Sequence, residues 1–368
     1  MPEYPADLPL IDLVRRLPSN VPFVGPEALE RQRGRAFRVR AGANESSFGI
    51  SPAVREAMTA ALDNVHCYND PEGYELRCAL AAKHGVDVAE IALGSGIDDL
   101  LGLFVRAFAG PGDCAVTSLG AYPTFNYHVA GYGSELKTVP YRDDHEDAPA
   151  LLDAVSSAGA SLLYLANPDN PMGTWQQQET LTVLMASIPA HCVLLLDEAY
   201  VDLAPPADIP PVDPSNPRVV RLRTFSKVYG MAGSRIGYAI AHRDIVAMLD
   251  KIRNHFGVNR IAQAGALAAL QDIGFVQDVV RQVAVGRDEY AAAAADVGLR
   301  AIPSATNFVA LDAGSSGRAE VLMGALLACD IFVRKPSLAP LDRCVRITVV
   351  LPEERKVVTE ALRASLRS

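Results

Sequence analysis

From about residue 50 onward, short apolar runs alternate with stretches of helical periodicity. Ile91–Leu93, Cys114–Ser118, Glu135–Val139, Leu162–Ala166, Cys192–Leu196, Val219–Thr224 and Gly237–Ile240 read as strands. The run Val193-Leu194-Leu195-Leu196 has no polar alternation, which predicts burial on both faces. A helix is predicted over Ile97–Phe108, entered through Gly94-Ser95-Gly96 and stopped by Gly110-Pro111-Gly112-Asp113. Strands and helices that alternate in this way imply an α/β domain built on a mainly parallel sheet.

The pattern changes at about residue 259. Helices are predicted over Asn259–Asp272, Val276–Val297, Ala319–Cys329 and Glu353–Ser365, with strands at Asn307–Leu311, Ile331–Arg334 and Val345–Val349. This reads as a smaller α+β domain. The first 40 residues hold Pro2, Pro5, Pro9, Pro18, Pro22 and Pro26, which predicts an extended arm with one short helix near Asp12–Leu17. The expected division is an arm at 1–40 that leads into the smaller domain, a large domain at 41–260 and a small one at 261–368. Pro205–Pro217 contains six prolines and reads as a loop.

Composition narrows the function classes. The 368 residues are 49% hydrophobic and 21% charged, so a large core forms without metal or disulfide staples. The net charge of −9 argues against a general affinity for nucleic acid or anionic membranes. No apolar run is long enough for a membrane span, and residues 1–20 lack the basic-then-apolar order of a secretory signal. The six cysteines include no CxxC pair and several lie in apolar stretches, so buried, reduced thiols and a cytoplasmic location are expected. No metal site is expected.

The candidate chemistry falls at the ends of the predicted strands, where open parallel sheets bind ligands. Asn170 follows one strand, Asp197 ends another, and Ser226 and Lys227 follow a third. Tyr200 and Arg235 lie close by in sequence. An amine, a buried carboxylate, an amide and a phenol in this order suit pyridoxal 5'-phosphate, which needs an amine for its aldehyde, an acid for its ring nitrogen and donors for its phenolate and phosphate. Lys227 is the expected Schiff-base lysine, with Phe225, Val228 and Tyr229 around it arguing against a solvated surface position. Asp197 is the expected partner of the ring nitrogen, since an unpaired carboxylate on an apolar strand is costly. Asn170 and Tyr200 are expected at the phenolate oxygen. Ser226, Arg235 and the backbone amides of Gly96, Ile97 and Asp98 are expected to hold the phosphate, because a glycine turn that opens a helix binds anions. A capping role for Asp98 and Asp99 is the plainer alternative there. Tyr122 is a candidate to stack on the ring. Glu198 reads as structural.

These residues resemble fold-type I pyridoxal-phosphate aminotransferases, and among them the histidinol-phosphate aminotransferase group, from about Ala43 to Glu354. Asn44-Glu45 with Phe48-Gly49 is similar to that family's NEN-PYG segment, and Tyr68-Asn69-Asp70-Pro71 with Leu76-Arg77 to its YPDP…LR stretch. Gly96-Ile97-Asp98-Asp99 resembles its G-[SA]-D-E turn, and Asn167-Pro168-Asp169-Asn170-Pro171-Met172-Gly173 its NPNNPTG. Asp197-Glu198-Ala199-Tyr200, Thr224-Phe225-Ser226-Lys227 and Arg346-Ile347-Thr348 match with little change. The resemblance implies a seven-stranded type of large-domain sheet and catalysis by Lys227, Asp197 and Tyr200. It also implies a homodimer with composite sites, in which Tyr68 reaches the partner subunit's cofactor phosphate. Arg346 would bind the α-carboxylate of an amino acid, with a solvated polar strand face as the plainer reading, and Arg334 is a candidate second anion contact, with a surface arginine as the alternative. Asn44 and Phe23 complete the implied substrate pocket.

The implied activity moves an amino group between an amino donor and 2-oxoglutarate. Phe23 stands where the family's arm usually offers a tyrosine hydroxyl, and Arg253–Asn259 departs from the family's Pro-aromatic-Asn pattern. Histidinol phosphate is the leading named substrate, with aromatic or other apolar amino acids as a further class. The competing readings are a threonine-phosphate type of decarboxylase on the same fold, and a non-catalytic ligand sensor, which the acidic chain without a spare DNA-binding domain disfavours.

Overall fold

The computed structural model describes residues 8–17 and 24–365. Among them the strands are β1 (Val39–Arg40), β2 (Ile91–Gly94), β3 (Cys114–Ser118), β4 (Glu135–Val139), β5 (Leu162–Ala166), β6 (Val193–Asp197), β7 (Val219–Thr224), β8 (Gly237–Ile240), β9 (Arg300–Ala301), β10 (Phe308–Asp312), β11 (Ile331–Phe332) and β12 (Cys344–Thr348). Seven of them form one sheet in the order β2-β8-β7-β6-β5-β3-β4. Strands β4, β3, β5, β6 and β7 are parallel, and β8 runs antiparallel to both β7 and β2. Only β8 therefore opposes the common direction, which is the mainly parallel sheet that the apolar runs implied.

Every residue of β3, β5 and β6 is buried, because helices cover both faces. The strand period of two sends alternate residues into separate cores. Leu162, Tyr164, Val193 and Leu195 pack with Leu100, Leu101 and Phe104 of the helix Ile97–Phe108. Leu163, Leu165, Leu194 and Leu196 pack with Leu151, Val155, Leu181 and Leu184 from two helices on the other face. Burial of each such side chain contributes about 1.5–3 kcal/mol. The same period assigns Asp197, the last residue of β6, to the face that carries Tyr164 and the start of the helix Ile97–Phe108.

The C-terminal third is α+β. Its three-stranded antiparallel sheet has the order β12-β10-β9, with helices Ile273–Ala295, Ser316–Ala328 and Pro352–Ser365. Strand β1 joins it by pairing parallel with β11.

Among the described residues of the first 40, one stretch departs from the expected extended arm. The short helix at Asp12–Arg16 is present, but Pro26–Arg33 forms a second helix. Pro26 takes its first position, where a proline costs no hydrogen bond, and Gly34 at φ 70° stops it. Arg40 ties this helix down through Glu27 at 2.7 Å and Glu30 at 2.5 Å. The strand expected over Ile331–Arg334 ends at Phe332, and Arg334 instead makes an isolated antiparallel bridge with Arg346. The helix expected from Val276 starts at Ile273, where the Asp272 side chain caps the Phe275 N–H at 3.2 Å. Of the cysteines, Cys114, Cys192 and Cys344 are buried as expected, whereas Cys67 and Cys329 are exposed.

Candidate active site

Because β2, β5, β6 and β7 run the same way, their C-terminal ends share one edge of the sheet. A cavity of 330 Å³ opens there, lined by Ile97, Asp98, Tyr122, Asn170, Asp197, Tyr200, Ser226, Lys227 and Arg235. The strand-end motifs thus converge on a single space. Gly96 adjoins it, since Arg235 Nη2 lies 2.5 Å from where a side-chain carbon on Gly96 would stand.

Lys227 follows β7 after Ser226, so its amine enters at the sheet edge. Its Nζ donates to the Asn44 carbonyl at 3.1 Å and stands 5.2 Å from the centre of the Tyr200 ring. Asn44 is itself held by a network that spans the chain. Thr348 Oγ1 donates to its Oδ1 at 3.2 Å, and Asn307 Nδ2 donates to its carbonyl at 3.1 Å. Asn44 Nδ2 in turn donates to the Tyr200 hydroxyl at 3.0 Å. That bond fills an acceptor position on Tyr200 and leaves its O–H to donate.

Asn170 sits in the loop after β5. Its Oδ1 accepts from Arg346 Nη1, which leaves its NH2 as a donor. Arg346 also lies over the Phe308 ring at 5.2 Å, and its Nε has no hydrogen-bond partner. Burial pushes the Arg346 guanidinium pKa down to about 10, with Arg334 nearby adding to the effect, so it remains a cation at neutral pH.

Asp197 is 5% exposed. Burial pushes its carboxyl up to about 6, against the Tyr164 hydrogen bond, the Ala199 N–H and the charge of Lys227. A buried carboxylate that opens into a cavity favours a cationic partner there. The next residue, Glu198, points away and pairs with Arg223 at 2.8 Å and with Arg221. Burial opposes its ionisation, but the two arginines outweigh that and hold the carboxyl below its usual range.

Another part of the wall has the makings of an anion cradle. The helix Ile97–Phe108 is capped by Gly96, whose φ of 86° suits glycine, and its first residues, Ile97 and Asp98, line the cavity. Arg235 Nη2 donates to Asp98 Oδ2 at 3.3 Å, and the Tyr122 hydroxyl donates to Asp98 Oδ1 at 2.9 Å. Asp98 therefore links the arginine and the aromatic ring. Ser226 Oγ accepts from Thr224 Oγ1 at 2.9 Å and keeps its own hydrogen available.

Among the described residues, two expected ones stand elsewhere. Tyr68 is 80% exposed and packs on Phe256 with ring centres 4.7 Å apart, away from this chain's own cavity. Arg334 does not line the cavity; its Nη2 donates to the Val24 carbonyl at 2.7 Å. Phe23 lies outside the described residues. Sequence reasoning also missed Tyr164, which lines the cavity and donates to Asp197 Oδ2 at 2.8 Å. A tyrosine inside an aliphatic strand was the available signal. The buried acids Glu146 and Asp169 were missed as well; burial pushes Asp169 up to about 7.

The donor set fits pyridoxal 5'-phosphate. One wall offers an amine, the floor a buried acid, and the far end an arginine, a hydroxyl and helix N–H groups. Gly96 leaves room for this, since a larger residue would collide with Arg235. Among the described residues no group of three or more His, Cys, Asp or Glu side chains is arranged to hold a metal ion. No described helix is long and apolar enough to cross a membrane.

Comparison with known proteins agrees. The family model for aminotransferase class I and II matches residues 39–362. The crystal structure of histidinol-phosphate aminotransferase from Sinorhizobium meliloti in complex with pyridoxal-5'-phosphate superposes with a TM-score of 0.94 at 46% identity, covering 98% of both chains. Histidinol-phosphate aminotransferase 2 of Ralstonia nicotianae is 36% identical over 332 residues, covering 89% of this chain and 88% of its own. The histidinol-phosphate aminotransferase of a Geobacillus species is 32% identical over 359 residues, covering 96% of this chain and 97% of its own.

Proposed function

The chain belongs to the class I and II aminotransferase family, and on that premise we propose that it transfers the amino group of histidinol phosphate to 2-oxoglutarate. It is a pyridoxal-phosphate enzyme of the histidinol-phosphate aminotransferase-like kind. The observation that carries the residue assignment is that Lys227, Asp197 and Arg235 open into one cavity. In this reading Lys227 binds the cofactor aldehyde through its amine. Asp197 pairs with the ring nitrogen, Asn170 and Tyr200 donate to the phenolate oxygen, and Ser226, Arg235 and the N–H groups at Gly96–Asp98 take the phosphate. Tyr122 covers the ring. Bound there, the cofactor supplies an electron sink for the pair released at the substrate Cα. Once freed, the Lys227 amine is the base for the proton at that Cα, and the Asn44 carbonyl fixes its position.

Two anionic substrates must alternate in one pocket. Arg346, beside Asn170, binds the α-carboxylate of 2-oxoglutarate, because a guanidinium pairs a carboxylate through two hydrogen bonds. Arg334 is the neighbouring cation and serves the substrate phosphate. Tyr68 belongs to the site of a second copy, so the active unit is a homodimer; its exposed ring beside Phe256, with Leu62 and Val65 also exposed, supports this. We place the enzyme in the cytoplasm. The test is a panel of amino donors with 2-oxoglutarate, read as glutamate formed. Histidinol phosphate is expected to lead the panel. Glutamate formed from aromatic amino acids but not from histidinol phosphate would replace the substrate assignment. Release of carbon dioxide from threonine phosphate without glutamate would replace the reaction type.

A further inference from the structure

We propose that Tyr164 is a positioning residue for this chemistry: its hydroxyl donates to Asp197 and keeps that carboxylate ionised and aimed at the cofactor ring nitrogen. The proposal rests on the reading of Asp197 given above.

Tyr164 is on β5, the neighbour of β6, in parallel register with Leu195, two residues before Asp197. Its side chain has no exposed surface, yet it lines the floor of the cavity. The hydroxyl donates to Asp197 Oδ2 at 2.8 Å, and the Ala199 N–H donates to Oδ1 at 2.9 Å. Each carboxylate oxygen thus has one fixed donor. Phe125 stacks on the Tyr164 ring at 4.9 Å and 14°, which holds the ring from behind. A phenylalanine would fill the same space among Leu162, Leu195 and Leu222. A buried hydroxyl without a partner costs about 1–3 kcal/mol, so the hydroxyl needs a reason to be there, and the partner it finds is Asp197.

The charges around Asp197 oppose one another. Lys227, from the loop after β7, favours its ionised form, and Asp98, from the helix Ile97–Phe108, disfavours it. Glu146 is a further acid within reach, pushed well above its usual range by burial and by Asp169 and Asp197. A permanent cation in place of Tyr164 would pair with Asp197 and compete with the ring nitrogen. A neutral donor stabilises the anion without competing. Burial pushes the Tyr164 phenol well above its usual range, so it stays a donor at all working pH values.

The test titrates apoenzyme with pyridoxal phosphate and follows the absorbance of the bound cofactor, for wild type, Tyr164→Phe, Asp197→Asn and the double variant. Tyr164→Phe is expected to weaken cofactor binding roughly tenfold or more, the scale of a hydrogen bond to a charged group. The pH midpoint of the bound cofactor's absorbance change is expected to move upward. A less firmly held charge on the ring nitrogen repels the neighbouring proton less. In the Asp197→Asn background the same substitution is expected to cost less, because the charge it served is gone. Phe125→Leu, which loosens the same packing, is expected to lower Tm and leave the pH midpoint in place. If Tyr164→Phe does not fold, Tyr164→Met fills the space without a donor and asks the same question. Wild-type affinity and midpoint in the folded Tyr164 variant, or equal losses in both backgrounds, would overturn the proposal alone. An Asp197→Asn variant with wild-type affinity and midpoint would overturn the Asp197 reading and the proposal with it.

Discussion

Arg334 and Arg346 are backbone partners: the Arg346 N–H donates to the Arg334 carbonyl at 2.6 Å across an isolated antiparallel bridge. Residues directly opposite in such a pair project to the same side. Two guanidinium groups are therefore held as neighbours, one against Asn170 and the other against the Val24 carbonyl. Arg346→Lys is expected to raise KM for 2-oxoglutarate by about ten- to a hundredfold, since a point charge loses the two-bond geometry. Arg334→Gln is expected to raise KM for histidinol phosphate more than KM for 2-oxoglutarate. Steady-state kinetics with each substrate varied separately checks both.

Lys227→Ala removes the one amine that lines the cavity among the described residues. The variant is expected to fold, to lose covalently retained cofactor after borohydride treatment, and to lose steady-state turnover. Mass spectrometry of the reduced protein reads the first effect directly. A cofactor mass still attached in the variant would move the assignment to another lysine.

Gly96→Ala tests the anion cradle. The backbone there has φ 86°, and the added carbon would stand 2.5 Å from Arg235 Nη2. The expected outcome is a cofactor affinity lower by about tenfold, from roughly 1–2 kcal/mol of backbone strain and a displaced arginine. Inorganic phosphate should also compete less well with cofactor in this variant. An unchanged Kd would mean that the phosphate sits elsewhere.

Tyr68 tests the shared site. Tyr68→Phe and Lys227→Ala are each expected to be impaired alone. When mixed and allowed to exchange subunits, they should recover up to about a quarter of wild-type sites, because one site of each hybrid dimer regains both residues. Full activity in a species that sedimentation shows to be monomeric would exclude the composite site.

Much of this arrangement was legible from local pattern. The buried strands are apolar runs, and Asp197 is conspicuous because a carboxylate ends one of them. Lys227 is conspicuous because apolar residues surround it. The remainder depends on contacts between distant segments. Asn44 meets Asn307 and Thr348 only after the two parts of the chain pack together. The Arg334–Arg346 bridge lies beyond the end of its strand, where periodicity carries no signal. Tyr164 was hidden for the opposite reason: in a run of leucines a tyrosine reads as core, and only the position of its hydroxyl sets it apart. The helix Pro26–Arg33 was obscured by the prolines before it, although Pro26 itself is a good first helical residue.

The most direct measurement of the central claim is a half-reaction. Enzyme fully loaded with pyridoxal phosphate is mixed with histidinol phosphate in the absence of any keto acid, quenched with acid, and the released cofactor is separated and quantified. Transamination through this site is expected to convert close to one equivalent of cofactor per subunit to its aminated form, and added 2-oxoglutarate should restore the aldehyde form with one equivalent of glutamate. Cofactor recovered entirely as the aldehyde after prolonged incubation with histidinol phosphate would contradict the account.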